Sequence, residues 1–232
     1  MGLQHESGLR WHAWFHDVDL GTIEITNIND PLPPAAAEAR ASAWAKERAM
    51  AKWFFEPGHT AAGFCARHMM VTSVRGHFKN VRGTLTLDKR DLAFGRTEVT
   101  IDARGLWSGE PDRDAHLKSA DFLDVEHHPE IRFSGGVSLR LGAREFKVLG
   151  DLTLRGVTRP VVLDVQFLGS WSTPWWEGNV DKSPKIRVGF AARTSINRHD
   201  FGVSWNSPLE AGGFVVGDEV EITIDAEAIR EE

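Results

Sequence analysis

The feature that most constrains this chain is a two-residue alternation of apolar and polar side chains that recurs from Trp53 onward. Leu85 and Leu87 alternate with Thr84, Thr86 and Asp88, and Val99 and Ile101 with Glu98, Thr100 and Asp102. Ile131 and Phe133 alternate with Arg132 and Ser134, and Val161, Leu163, Val165 and Phe167 with Val162, Asp164 and Gln166. Ile186, Val188, Phe190 and Ala192 oppose Arg187, Gly189, Ala191 and Arg193. Val220, Ile222, Ile224 and Ala226 oppose Glu219, Glu221, Thr223 and Asp225. Successive strand residues point to opposite faces, so each segment has one dry and one wet side. Repeated this often, the pattern predicts antiparallel strands around a single apolar interior. About eight strands are expected, separated by glycine-containing turns such as Gly135-Gly136, Gly142 and Gly156. From alternation alone, a sandwich, a barrel filled by its own side chains and a barrel holding a ligand all remain open.

One long connection interrupts the strands: DRDAHLKSADFLDVEHHPEIRF, residues 112–133. Asp112 and Asp114 suit the start of a short helix. Asp114 and Lys118, four apart, are spaced to pair across it. Leu117, Phe122 and Leu123 offer apolar anchors, and Pro129 stops any helix before the Ile131 strand. The stretch reads as a folded connector.

Residues 1–47 differ from the rest and are read as an extension of the barrel domain, residues 48–232. RWHAWFHDVD and GTIEITN have the character of two short strands, and NDPLPP that of a stiff connector. PAAAEARASAWAKERAM is rich in helix formers, with a thin apolar face of Ala37, Ala41, Trp44, Ala45 and Ala49. The formal net charge of −6 and the absence of a basic cluster speak against nucleic-acid binding. No apolar run is long enough to span a bilayer. The N-terminus lacks a signal-peptide pattern, and Glu6 breaks the acylation motif that Met1-Gly2 begins. With a single cysteine, the expected compartment is the cytoplasm.

Four segments in order, RHMMVTSVRGHF (67–78), residues 112–133, GDLTLRGVTRPVVLDV (150–165) and INRHDFGVSWN (196–206), resemble the polyisoprenoid-binding YceI-like family. The resemblance covers roughly residues 52–227. It implies a lipocalin-like antiparallel β-barrel with an apolar tunnel for isoprenoids, quinones or similar amphiphiles, and frequent homodimers. Many members are secreted with a cleaved signal, which this chain lacks. The family supplies no agreed catalytic set to carry over.

The tunnel wall expected on this basis comprises Phe64, Phe78, Leu85, Leu87, Val99, Ile101, Leu117, Phe122, Ile131, Phe133, Leu163, Val165, Ile186, Val188, Phe190, Phe201, Trp205, Ile222 and Ile224. These same residues can instead meet as a filled core. Head-group contacts are expected from His68, His116, Arg198 and Asp200, with Asp112 four residues from His116 to orient it. Arg198 is suited either to clamp a ligand oxygen or to pair with Asp200 or Asp114 and pin the barrel mouth.

No metal site or cofactor is expected, since His59, His68, His77, His116 and His199 are scattered without paired spacing. His127 and His128 are adjacent before a proline and read as surface residues. Cys65 and His68 fall on opposite faces of a regular strand, and no nucleophile elbow or glycine-rich phosphate loop occurs.

The first functional expectation is therefore binding of a hydrophobic small molecule or lipid, for carriage or storage. The alternative is a barrel enzyme that cyclises or isomerises an apolar isoprenoid- or polyketide-like substrate, using His116, Asp114, Arg198 and Asp200. A third reading makes residues 1–47 an interaction module, with Trp11, Trp14, Phe15 and Trp44 as aromatic anchors.

Overall fold

The computed structural model describes residues 2–7, 10–15, 18–24, 50–88, 95–210 and 212–231. β1 (Gly2–Ser7), β2 (Arg10–Phe15) and β3 (Val18–Glu24) form an antiparallel sheet of their own. The extension thus has three strands where two were expected. β1 was hidden because GLQHES carries no apolar alternation, its pairing coming from the neighbouring β2. The helix expected before residue 48, including Trp44, lies outside the described residues.

The barrel begins with β4 (Met50–Phe55), β5 (Ala61–His68), β6 (Thr72–Phe78), β7 (Arg82–Asp88) and β8 (Gly95–Asp102). After the long connection come β9 (Glu130–Arg140), β10 (Glu145–Leu154) and β11 (Val157–Thr173). A minor hairpin, β12 (Trp176–Glu177) and β13 (Val180–Asp181), precedes β14 (Lys185–Asn197) and β15 (Val216–Arg230). The order β14-β11-β10-β9-β8-β7-β4-β15 closes by pairing β14 with β15, giving an eight-stranded antiparallel barrel. β5 and β6 form a branch. β15 pairs with β4 through Ala228–Arg230 and with β5 through Val216–Asp225, so two strands share one of its flanks. The far side of β6 meets the barrel through one residue pair, His77 and Trp107, whose backbones exchange hydrogen bonds of 2.9 and 3.0 Å.

Register converts the sequence alternation into a wall. Phe146 pairs with Val165, Val165 with Ala192, Ala192 with Ile224, Ile224 with Ala62, and Ala62 with Phe78. Directly opposed residues share a face, so this row of six runs continuously around the interior. Gly135-Gly136 is not a turn. It lies inside β9, where Gly135 opposes Gly150 and Gly136 is the extra residue of a register shift against β10. The β10–β11 hairpin does turn at Arg155-Gly156, with φ of 50° and 73°. Two successive left-handed residues match the twist of the flanking strands, and Gly156 adopts its conformation without steric cost.

Packed clusters gather towards both ends of the barrel. Ala51 at the start of β4, Leu87 late in β7, Val188 early in β14 and Ala228 late in β15 share one end, with Trp53 and Leu85. At the opposite end, Phe122, Phe201 and Val203 pack with Val161, Leu163 and Ile196. Phe78, Ala103, Leu106, Val125 and Ile131 form a second group there. Phe201 is 1% exposed and belongs to the short turn Arg198–Phe201, which Asn197 caps by accepting from the His199 N–H at 2.9 Å. Arg155 ties this end together by donating to Gly202 O at 2.6 Å and Ala120 O at 2.7 Å.

Phe201→Ala should therefore cost about 3–5 kcal/mol, because the rigid loops around it cannot collapse into the void. Urea unfolding reads this as a lower midpoint at unchanged slope. A loss near zero would mean that the end cluster does not support the barrel.

Candidate functional site

Between the two end clusters lies a cavity of about 320 Å³. Carbon dominates its wall because the inward residue of each strand is apolar. The bore stays open because the wall mixes bulky residues with small ones such as Ala62, Ala66, Ala192, Ala226 and Gly135. Two rings lie flat over glycine. A Cβ added at Gly150 would stand 2.5 Å from the Phe133 ring, and one at Gly76 would stand 2.5 Å from the Phe64 ring. A larger residue at either position would push the ring towards the axis.

Of the expected wall residues, Phe64, Phe78, Leu85, Leu87, Val99, Ile101, Leu117, Phe122, Ile131, Phe133, Leu163, Val165, Phe190, Ile222 and Ile224 line the cavity. Ile186 and Val188 sit in the end plug beyond Phe190. Phe201 and Trp205 lie behind Phe122, whose ring centroid is 5.3 Å from that of Trp205. The inward face of β10, made of Phe146, Val148, Leu152 and Leu154, is a part of the wall that sequence reasoning did not name. Its signal was present as apolar residues at every second position, broken only by Gly150 and the outward Leu149.

The polar candidates are placed differently from expectation. His116 ends helix α1 (Pro111–Lys118) and stands off the cavity wall. Its Nε2 meets Asp121 Oδ2 at 3.0 Å, and its ring sits edge-on to Phe122 and Trp205 at centroid distances of 5.0 and 4.8 Å. Asp121 takes the orienting role foreseen for Asp112 because the chain reverses at Ser119, whose N–H and hydroxyl both donate to His116 O. Asp114 does not pair with Lys118. It is buried and accepts from the Ser108 N–H at 2.8 Å and from the Ser108 hydroxyl, which fastens the helix start to the preceding loop. His68 ends β5 opposite Thr72 and Val216, and Asp200 is exposed. Neither lines the cavity. His127 is exposed and bonded to Asp124 at 2.8 Å, a carboxylate that raises the imidazole pKa above its ordinary value.

Arg198 does reach the wall, yet its donors are engaged elsewhere. The side chain is 4% exposed. Nε donates to Gly217 O at 2.9 Å, Nη1 to Val203 O at 2.7 Å and Trp205 O at 2.9 Å, and Nη2 to Val216 O at 3.2 Å. Its ion partner is Asp218 at 3.5 Å, in place of the expected Asp200 or Asp114. Burial lowers its pKa from the usual guanidinium value, and the Asp218 charge opposes that shift. This planar fork stitches the turn after β14 to the start of β15.

Among the described residues, no group of three or more His, Cys, Asp or Glu side chains is placed to hold a metal ion. Cys65 lies between Phe64 and Ala66, which line the cavity, and so takes the opposite face of β5.

A family model described as the YceI-like domain matches residues 53–228. A UPF0312 protein of Pectobacterium carotovorum is 30% identical over 200 residues, 86% of this chain and 96% of that relative. The Campylobacter jejuni YceI protein, a solved structure, is similar with a TM-score of 0.60 at 25% identity, over 72% of this chain and 90% of its own. A polyisoprenoid-binding domain from Saccharophagus degradans shares the fold at a TM-score of 0.52 and 14% identity, covering 80% of this chain and 100% of that one.

The Arg198 geometry makes a definite prediction. Arg198→Met takes the donor from the buried carbonyl bonds of Gly217 and Val203 and from the half-buried one of Trp205, while Val216 O keeps the Asn206 amide, and should destabilise the fold by about 3 kcal/mol or more. Chemical denaturation measures the loss. A change within error would return Arg198 to the role of a free head-group clamp.

Proposed function

We propose that this chain, which belongs to the YceI-like family, holds one long apolar molecule of isoprenoid, quinone or fatty type inside its barrel, for carriage or storage. The observation that carries this reading is the carbon-walled cavity between two packed ends. Its volume of about 320 Å³ falls at the lower end of the usual range for ligand sites, roughly 300–1,000 Å³. At ~30 Å³ per group, about the volume of a liquid water, that is room for a chain segment on the order of ten methylenes. Each methylene transferred from water contributes about 0.8 kcal/mol. Ten give roughly 8 kcal/mol before the costs of association, enough for a useful affinity without any charged contact. The Saccharophagus domain of the same fold, described as polyisoprenoid-binding, is in keeping with such an occupant.

The enzymatic alternative has less support. His116, Asp114 and Asp200 stand off the cavity wall, and Arg198 is bound by carbonyls. We place the protein in the cytoplasm on the strength of its lone cysteine. No helix among the described residues is long and apolar enough to cross a membrane.

Native mass spectrometry followed by solvent extraction tests the reading, and the same spectrum shows whether two copies associate. A stoichiometric prenyl, quinone or fatty species is expected. With an n-alkanol series, affinity should rise about fourfold per added methylene, the equivalent of ~0.8 kcal/mol, and level off near ten carbons. Affinity independent of chain length would overturn the proposal. Because the wall residues among the described ones all lie between Phe55 and Ala226, a chain lacking residues 1–47 should give the same series. A truncated chain that no longer binds would make the extension part of the site.

A further inference from the structure

Among the described residues, six polar ones contribute to the cavity wall: Thr60, Arg96, Thr97, Arg132, Thr194 and Arg198. Five have partners within the protein. The Thr60 hydroxyl donates to Glu227 O at 3.1 Å, and the Thr97 hydroxyl to Thr84 O at 3.3 Å. Arg96 is paired with Glu98, Arg132 with Glu130, and Arg198 with four carbonyls and Asp218. The Thr194 hydroxyl has no hydrogen-bond partner among the described residues.

Its position is as informative as its lack of a partner. Thr194 lies on the inward face of β14 with Phe190, Ala192 and Ile196. At about 3.3 Å per residue, it stands about 13 Å along the strand from Phe190 and about 10 Å from Asn197, where the strand ends. Its cross-strand neighbour on β15 is Ile222, which in turn opposes Phe64 on β5. A half-buried hydroxyl without a protein partner on an apolar wall gains a hydrogen bond when a ligand oxygen faces it.

We infer that the ligand carries a neutral oxygen, a carbonyl or hydroxyl, part-way along its chain, and that this oxygen seats on Thr194. The inference rests on the binding reading above and narrows its ligand class. A carboxylate or phosphate at this depth does not fit. Each arginine on the wall is already matched, so an interior anion would be left unpaired. Thr194 is thereby a specificity-determining residue: it sets where along the ligand the oxygen must be.

The test compares n-decane with 5-decanone, whose oxygen sits part-way along the chain. Both are measured by displacement of an apolar fluorophore from the full chain, from Thr194→Val and from Thr194→Ser. Thr194→Val keeps shape and strand preference, and should weaken 5-decanone about three- to tenfold, the worth of one net hydrogen bond. It should leave n-decane unchanged or bound more tightly. Thr194→Ser retains a hydroxyl and should restore the preference for the ketone. If Val alters ketone and alkane by the same factor, Thr194 makes no contact and this inference fails while the cavity reading stands. If neither molecule displaces the fluorophore from the unaltered protein, the cavity reading fails and takes this inference with it.

Discussion

The backbone ladder between β14 and β15 is the interaction on which the rest of the structure depends. It runs through eleven residue pairs, from Arg187 with Ile229 to Asn197 with Glu219, and turns a sheet with two ends into a cylinder. Closure makes the inside of every strand part of one wall. It also fixes register, since a slip of one residue would turn Ala192, Thr194 and Ile196 outward together. Arg198 secures the point where this ladder begins. Its fork of hydrogen bonds holds the turn leaving β14 against the first residues of β15.

The hollow follows from the distribution of side-chain sizes around that wall. Bulky groups gather at the ends, where Trp53, Phe201 and Phe122 pack, while alanine and glycine recur between them. Phe64 and Phe133 are large but lie against glycine backbone, so their volume is withdrawn from the axis. A native void carries a cost in lost dispersion contacts. Any occupant that fills it adds stability in proportion to its binding, so the ligand-bound barrel is the more stable form.

The wall was legible in the sequence because the period of a strand is short and the inward residues are apolar. Fifteen of the expected apolar wall residues line the cavity, while Val188 and Phe201 pack into the end clusters. Alternation reports which way a side chain points and says nothing of how far along the axis it sits. Gly135-Gly136 was misjudged as a turn because a paired glycine carries the same letters whether it bends the chain or makes room for a ring. The partners of Arg198 were hidden for a different reason. They are carbonyls of Gly217, Val203, Trp205 and Val216, a group every residue possesses, and only the fold determines which ones converge. His116 shows the same limit at short range, since helix geometry offered Asp112 while the chain reversal brought Asp121.

The branch formed by β5 and β6 bears on how an open strand edge is guarded. A closed cylinder has no strand edge, but β6 restores one: β5 covers one of its flanks, and among the described residues the other is met by the His77–Trp107 pair alone. Exposed strand edges are templates for pairing between chains. β6 is only seven residues long, and it carries Arg75 in its centre with Gly76 beside it. A charge and a poor strand former at that place oppose the addition of a foreign strand. The residue that makes room for the Phe64 ring on the inside therefore also helps keep the outside of the barrel from becoming the first rung of an aggregate.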